Sequence, residues 1–385
     1  MNSLQLKSGG GKMVVIKTFI NLFSVKSVSI LIVCVCIGFL LGCSAEGTIS
    51  GPTINTAGGW IPLDATLEWV APEEAGWSSA ELQAAHQFAI KSGCQAVMAL
   101  YDGKVFFSRG NIHKNYEVHS IRESFLSALY GIHFARGNIN LDATLEDLHI
   151  DDITPGLTLS EKQARVEHLL MSRSGVYHEA ADEDQKMIDE RPARGSYAPD
   201  TFFYHNNWDV NALGAIFEQE TGEEICEAFK KEITDVVGMA DFSIDNCFYQ
   251  YEWDKSWLPA YHFEMSARDM AKFGALYQKN GRWKGLQIIP SDWIDESTMA
   301  YSTMENTDGL GYGYMWKIIP EDSEMGQMIG YPGYYHTGTG GHVLVIIPDL
   351  KLVIVERYAT DQNWDEPGAD GFELAMQILD ARLAE

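Results

Sequence analysis

Strand-like segments at the two ends of the chain constrain its fold most. In residues 94–111, CQAVMALYDGKVFFSRGN, two β-rich runs flank Asp102-Gly103, a dipeptide typical of tight hairpin turns. In residues 340–359, GGHVLVIIPDLKLVIVERYA, a second hairpin pattern turns at Pro348-Asp349. Because the residues between these hairpins carry mainly helical patterns, we predict an α/β (α+β) fold. Its antiparallel sheet is built from N- and C-terminal strands, is flanked by helices, and carries a mainly helical insertion.

Amphipathic periodicity and terminal capping residues predict the helices. They are expected at about residues 79–91, 120–136, 160–172, 208–220, 223–237, 266–279 and 371–383. One further strand is predicted at residues 311–319. Three cysteines, Cys94, Cys226 and Cys247, lie within this part of the chain, so at most one disulfide forms and one thiol stays free.

The first 42 residues have the pattern of a signal peptide. The segment before residue 28 contains lysines and no acidic residue. It is followed by the apolar run VSILIVCVCIGFLL at residues 28–41, which is shorter than the roughly 20 residues that a membrane-spanning helix needs. The run ends in Leu40-Leu41-Gly42-Cys43, which resembles the bacterial lipoprotein cleavage box. We therefore predict Cys43 as the lipidated first residue of the mature protein. The alternative is an ordinary N-terminal anchor helix.

The segment after this box is predicted to be a lipidated tether, residues 43–66, because it is rich in Gly, Ser and Thr. Ser44, and not Asp, follows Cys43, which favours the periplasmic face of a bacterial outer membrane. The lipid bilayer is thus an expected partner through Cys43. Beyond residue 42, the chain has 24 basic and 54 acidic residues, a formal charge of −30, which excludes nucleic acid as an expected partner.

Three short motifs occur in a fixed order along the remaining residues, 67–385. Ser120 opens a helical pattern in HSIRES, the tripeptide Tyr-His-Asn at residues 204–206 precedes another helix, and His-Thr-Gly at residues 336–338 lies on a predicted strand. A serine hydroxyl needs a neighbour that accepts its proton, and a helix N-terminus stabilises developing negative charge. The order resembles the S-x-x-K, Y-x-N and K/H-T-G pattern of the serine β-lactamase and penicillin-binding group.

The resemblance covers about residues 70–385 and is greatest to class C β-lactamase-related serine hydrolases, the branch of esterases and aminohexanoate-oligomer hydrolases. It implies a β-lactamase/transpeptidase-like domain that forms an acyl-enzyme at Ser120. Tyr204 would act as general base or acid, and Asn206 would hold a substrate carbonyl or amide. His205 is expected to project away from the site.

The resemblance also assigns the third motif to substrate and oxyanion binding. His336, Thr337 and Gly338 would line the substrate, and the amides of Thr339 and Ser120 would form an oxyanion hole. Histidine in place of the usual lysine favours a small-molecule ester, amide or peptide-like substrate over a β-lactam. No cofactor is expected, and the histidines include no H-E-x-x-H pair that would indicate a metal hydrolase.

Structural interpretations of the same residues remain open. Ser120 could be a helix N-cap with Glu123 completing a capping box, Tyr204 a core aromatic residue, and His336 a surface histidine. The tryptophans could line a cleft or pack in the core; they are Trp208, Trp253, Trp257 and Trp316.

Glu123 departs from the family pattern because it takes the place of the lysine. No serine in the chain is followed by lysine three residues later. A carboxylate of ordinary pKa is a weak base for a hydroxyl and would keep a neighbouring tyrosine protonated. Two functions follow: an envelope serine hydrolase impaired by Glu123, or a non-catalytic binding lipoprotein (a pseudoenzyme) that uses the same cleft.

Overall fold

The computed structural model describes residues 67–360 and 372–383. The predicted signal peptide, the lipidation site Cys43 and the tether lie outside the described residues, so they stay predictions. Within the described ranges, no helix combines the length and apolar character needed to cross a membrane.

Eight antiparallel strands form the main sheet, in the order β2-β1-β13-β12-β11-β10-β9-β8. The described strands are β1 Ala96–Tyr101, β2 Lys104–Gly110, β3 Tyr116–Glu117, β4 Cys247–Gln250, β5 Ala260–Met265, β6 Arg282–Trp283, β7 Leu286–Gln287, β8 Ser302–Thr303, β9 Gly311–Tyr312, β10 Lys317–Ile319, β11 Gly333–Gly338, β12 His342–Ile347 and β13 Leu352–Arg357. Strands β3, β5 and β4 form a second sheet, and β6 pairs with β7.

Helices cover both faces of the main sheet and form the central insertion. The described α-helices are α1 Pro72–Ala75, α2 Leu82–Lys91, α3 Arg122–Ala135, α4 Val166–Leu170, α5 Gln185–Glu190, α6 Asn207–Thr221, α7 Ile225–Phe229, α8 Asp235–Val237, α9 Ala267–Gln278, α10 Ser291–Ser297, α11 Glu324–Ile329 and α12 Glu373–Asp380. Short 3₁₀ segments occupy His119–Ile121, Glu161–Gln163 and Ile244–Asn246, and a π-helical segment, Lys230–Thr234, joins α7 to α8.

Strands from the two ends of the described chain are neighbours in the main sheet, next to its edge strand β2. Strand β1 pairs with β13, so that Met98 lies opposite Val355. Asp102 and Gly103 both have positive φ, 49° and 79°, as a tight hairpin turn requires. Helices α2 and α12 pack with apolar side chains on one face of the sheet, and α9 packs on the other. The predicted fold class is confirmed.

Two predicted elements are interrupted. The helix expected at residues 160–172 breaks at Ala164 and Arg165, whose extended backbone pairs with Thr144 and Leu145. The strand expected at residues 311–319 splits into β9 and β10, because Met315 between them has a φ of +57°. At both breaks, the sequence pattern continues but the backbone conformation of individual residues interrupts the element.

One disulfide joins Cys226 on α7 to Cys247 on β4, with the Cα atoms 5.8 Å apart. Cys94 is a free, buried thiol. The odd cysteine count in this part of the chain is thus resolved as one bridge and one thiol.

Candidate active site

Ser120 lies in a 3₁₀ turn, His119–Ile121, that runs directly into α3; we call this segment the serine turn. His119 has a φ of +49°, a left-handed conformation that is uncommon outside glycine. The helix N-cap is Ile121, and no side chain caps this end. The interpretation of Ser120 and Glu123 as a capping box is therefore wrong.

Strand β11 packs against the serine turn through Gly338. A Cβ atom added at Gly338 would lie 2.3 Å from the Val118 carbonyl oxygen and 3.2 Å from the His119 Cβ. Only glycine allows this approach, which brings the end of β11 beside the turn that carries Ser120. Thr339 follows at the exposed start of the β11–β12 turn.

Glu123 is completely buried on the first turn of α3. Its Oε2 accepts a hydrogen bond from the Tyr312 hydroxyl at 3.2 Å and lies 3.2 Å from His336 Nε2. Its Oε1 lies 3.6 Å from His205 Nε2. Burial alone raises the pKa of Glu123, but the two imidazoles outweigh that effect and lower this pKa to about 2. Glu123 is therefore a carboxylate held between two histidines.

His336 is fully buried, so the interpretation as a surface histidine is wrong. Its Nδ1 lies 3.0 Å from the Thr337 carbonyl oxygen, and its Nε2 faces the Glu123 carboxylate. Both partners are acceptors. Neither nitrogen of His336 is therefore left free for a substrate.

Lys317, on the neighbouring strand β10, donates from Nζ to the Thr337 hydroxyl at 2.6 Å. Burial lowers the pKa of this lysine, and the Glu123 carboxylate partly offsets the effect. An amine therefore stands beside the middle residue of the third motif although the motif itself begins with histidine. No sequence pattern near Lys317 predicts this contact, because it depends on the pairing of strands β10 and β11.

Tyr204 is turned away from Glu123. Its hydroxyl donates to the Met187 carbonyl oxygen at 2.5 Å, and its ring packs edge-on against Tyr177 at 5.7 Å. Burial raises the pKa of Tyr204 to about 12. A backbone carbonyl thus engages the hydroxyl, and the role of Tyr204 as general acid or base stays a prediction.

His205 lies where Tyr204 was expected, so the expectation that it projects away from the site is wrong. Its ring faces Glu123 through Nε2 and contacts the Tyr312 ring at a centroid distance of 5.6 Å. Its Nδ1 is buried and has no hydrogen-bond partner among the described residues. Burial lowers the pKa of His205, and the Glu123 carboxylate partly offsets this shift.

Asn206 caps helix α6. Its Oδ1 accepts from the Asp209 amide at 2.9 Å, and its Nδ2 donates to the Tyr204 carbonyl at 2.8 Å. Both ends of the side chain bond to the backbone, and its contact with a substrate stays a prediction. The next residue, Asn207, donates to the Asp182 carbonyl, and its buried Oδ1 has no partner in the described part of the chain.

In the second motif, the structure thus brings His205 to Glu123 and uses Asn206 as the helix cap. The sequence does carry a signal for this cap. Asn206 followed by Asp209 three residues later is a helix N-cap pattern, which commits Asn206 to the helix end.

The four tryptophans divide between core and surface. Trp208 and Trp316 are buried in the core, whereas Trp253 and Trp257 are 60% and 56% exposed. In residues 67–360 and 372–383, no group of three or more His, Cys, Asp or Glu side chains is placed to hold a metal ion.

Comparison with known proteins places the described domain in a family context. The sequence model of the family described as Beta-lactamase matches residues 94–379. No curated protein matches the chain significantly. Among solved structures, a Bacillus anthracis protein assigned as a 6-aminohexanoate-dimer hydrolase is 19% identical, with 76% of this chain and 81% of that chain covered and a TM-score of 0.55.

Two further solved structures share the fold. The octameric penicillin-binding protein homologue from Pyrococcus abyssi is 17% identical, with coverage of 78% and 76% and a TM-score of 0.56. The β-lactamase/D-alanine carboxypeptidase from Pseudomonas syringae is 14% identical, with coverage of 78% and 98% and a TM-score of 0.58. At these identities, the similarity establishes the fold.

Proposed function

The chain belongs to the β-lactamase family and has its serine hydrolase fold, and from this premise we propose that it hydrolyses an ester or amide through an acyl-enzyme at Ser120. The observation that carries the proposal is the contact between Gly338 and the serine turn. This contact lays the end of strand β11 beside the turn, where the amides of Ser120 and Thr339 would have to meet to bind an oxyanion.

The proposed reaction starts with attack of the Ser120 hydroxyl on the carbonyl carbon of the substrate. Ser120 is half-buried and precedes α3, whose N-terminus stabilises negative charge. The amides of Ser120 and Thr339 are the proposed oxyanion donors, and Thr337 and Gly338 line the substrate. Water then releases the acyl group from Ser120.

The substrate is proposed to be a small-molecule ester, amide or peptide-like compound. The similar solved structures include a protein assigned to an amide dimer and one described as a D-alanine carboxypeptidase. His336 is engaged with Glu123 and the Thr337 carbonyl, so it offers no free cation to the carboxylate of a β-lactam. A substrate whose recognition does not require a negatively charged group therefore fits the site better.

A second candidate function is non-catalytic ligand binding in the same cleft. The specific observations in its favour are Glu123 at the lysine position and the Tyr204 hydroxyl bonded to the Met187 carbonyl. Such a protein would bind an ester, amide or peptide-like ligand without turnover, and Ser120→Ala would leave its binding unchanged.

A fluorophosphonate probe followed by intact mass measurement distinguishes these two functions. We expect one adduct on the native protein, located at Ser120 by peptide mapping, and none on Ser120→Ala. The Ser124→Ala variant is the matched control, because Ser124 lies on the same helix but donates to the Met315 carbonyl. A native protein that gains no adduct after prolonged exposure would support the binding function instead.

We also propose that the protein is attached to the bacterial cell envelope through a lipid on Cys43, at the periplasmic face of the outer membrane. The Leu40-Leu41-Gly42-Cys43 box directly after a short apolar run supports this location.

A further inference from the structure

The proposed acyl-enzyme at Ser120 requires a base that accepts the serine proton, and the identity of that base rests on this proposed function. A serine hydroxyl becomes an effective nucleophile when a neighbouring base accepts its proton. The family lysine is replaced by Glu123, and the phenol of Tyr204 is bonded to a backbone carbonyl. Another group near the first turn of α3 is therefore the better candidate for the base.

Glu123 connects Ser120 to two imidazoles. Ser120 and Glu123 are three residues apart along continuous helical backbone, a separation that brings side chains to the same face. Each oxygen of the Glu123 carboxylate faces a different histidine, Oε2 facing His336 and Oε1 facing His205. Both imidazoles thus lie on the face of α3 that carries the serine.

His336 is unsuitable as the base because both of its nitrogens are already engaged with acceptors. Lys317 is directed to the Thr337 hydroxyl at 2.6 Å. His205 differs from both. One of its nitrogens faces a carboxylate, and the other is buried with no hydrogen-bond partner in the described part of the chain. A carboxylate that fixes one imidazole nitrogen leaves the other as a proton acceptor.

We propose that His205 is the general base for Ser120, acting directly or through one water molecule. Glu123 positions the imidazole and stabilises its protonated form. As the Ser120 Oγ forms a bond to the substrate carbonyl carbon, its proton passes to His205. The bond from that carbon to the leaving group then breaks, and the leaving group takes the proton. A water molecule then attacks the acyl carbon while its proton passes to His205. The bond between that carbon and the Ser120 Oγ breaks, and the Ser120 oxygen takes the proton from His205.

Glu123 therefore supports an altered proton transfer. An ionised carboxylate beside imidazole stabilises the imidazolium that forms when the serine proton arrives. The serine turn carries Ser120, the first turn of α3 carries Glu123, and the loop before α6 carries His205.

Several charged groups face His205 and affect its titration. Glu123 on α3 and Asp184 before α5 raise its pKa, whereas His336 on β11 and Lys317 on β10 lower it. The Tyr312 ring on β9 contacts the imidazole without a charge. With burial the largest effect, the His205 pKa is below its ordinary value of 6.5.

The test measures the rate of fluorophosphonate labelling at Ser120 between about pH 5 and 9. In the native protein, the rate should rise as His205 loses its proton and reach a plateau above pH 6.5. His205→Gln should lower the plateau by about 10²–10⁴-fold. Glu123→Gln should lower it less and move the rise to lower pH, since the carboxylate that raises the His205 pKa is removed.

The matched control is Ser124→Ala, whose hydroxyl donates to the Met315 carbonyl, and it should keep the native plateau and pH profile. Exogenous imidazole should restore part of the labelling of His205→Ala, a result that a merely structural role would not give. Thermal melting of each variant separates loss of the base from loss of folding.

Two outcomes would overturn the assignment, and they are distinguishable. Labelling of His205→Gln at the native rate, with the native pH profile, would show that another group is the base while Ser120 remains the nucleophile. Absence of any adduct on the native protein would reject the proposed function, and the base with it.

Discussion

Asp209 is a buried carboxyl group directly behind the loop that carries His205. Its Oδ1 accepts from the Ser174 hydroxyl at 2.5 Å, and its backbone amide donates to the Asn206 cap. Its Oδ2 is buried without a hydrogen-bond partner in the residues described. Burial raises the pKa of Asp209 to about 8, so this carboxyl is protonated at neutral pH. The stability of the folded protein therefore depends on pH through the titration of Asp209.

Stability should fall as pH rises because of Asp209. Its folded pKa lies above its unfolded value of 3.8, so the native state keeps a proton that the unfolded state releases. The stabilisation is complete below pH 3.8 and is lost as pH rises toward 8. Urea titrations should show a free energy of unfolding that falls by up to about 1.4 kcal/mol per pH unit from this group.

The matched variant is Asp209→Asn, which resembles the protonated acid. Between about pH 5.5 and 7.5, its free energy of unfolding should fall less than that of the native protein. This range lies between the unfolded pKa of Asp209, 3.8, and its folded pKa of about 8. Parallel pH dependences in the native protein and in Asp209→Asn would contradict this account.

At the same scale, the sequence predicts some site residues and not others. Ser120 and Glu123 follow from a motif on one helix, where spacing fixes which side chains share a face. The choice between Tyr204 and His205 lies in an irregular loop, where no periodicity sets side-chain direction. It is decided instead by distant groups, the Met187 carbonyl for Tyr204 and the Glu123 carboxylate for His205.

At the scale of elements, the contact between strand β11 and the serine turn determines the site. The strand carries His336 to Glu123 and Gly338 to the Val118 carbonyl, and it does so from the opposite end of the chain. The hairpins at both termini were predicted from turn residues and β-branched runs. The close approach at Gly338 depends on how the finished sheet packs against α3.

Gly338→Ala should disrupt this packing. The added Cβ would lie 2.3 Å from a backbone oxygen, which cannot move without shifting the serine turn. We expect the free energy of unfolding to fall by about 1–3 kcal/mol. We also expect a large loss of fluorophosphonate labelling, measured on the fraction that urea titration shows to be folded.

Gly195→Ala provides a control of similar cost at a distant position. Gly195 has a φ of +76° and no atom within 4 Å of an added Cβ, so only the left-handed backbone is penalised, by about 1–2 kcal/mol. It should label at the native rate. Equal labelling of Gly338→Ala and Gly195→Ala would mean that the strand contact does not shape the site.

At the scale of the whole molecule, the acidic character belongs to the part after the predicted signal. The fold class could be predicted because hairpins at both ends must share one sheet. The broken helix at residues 160–172 could not, since its interruption comes from pairing with residues 144–145. A formal charge of −30 in residues 43–385 opposes self-association through charge repulsion.

The anchor prediction is that Cys43 carries the lipid. Expressed in a Gram-negative host, the native chain should sediment with membranes and incorporate a labelled fatty acid. Cys43→Ala should remove the label and release the protein from membranes after cell breakage. Ser44→Ala is the neighbouring control. Incorporation of label into Cys43→Ala would place the anchor elsewhere.

The bond between Cys226 and Cys247 affects how the protein has to be produced. Disulfides persist in oxidising compartments and are rare in the bacterial cytosol, so expression without export would leave α7 and β4 uncrosslinked. Cys94, 1% exposed and with its thiol pKa raised by burial to about 12, is a poor partner for exchange once the chain has folded. Material secreted to the periplasm should therefore contain a single, correctly paired species.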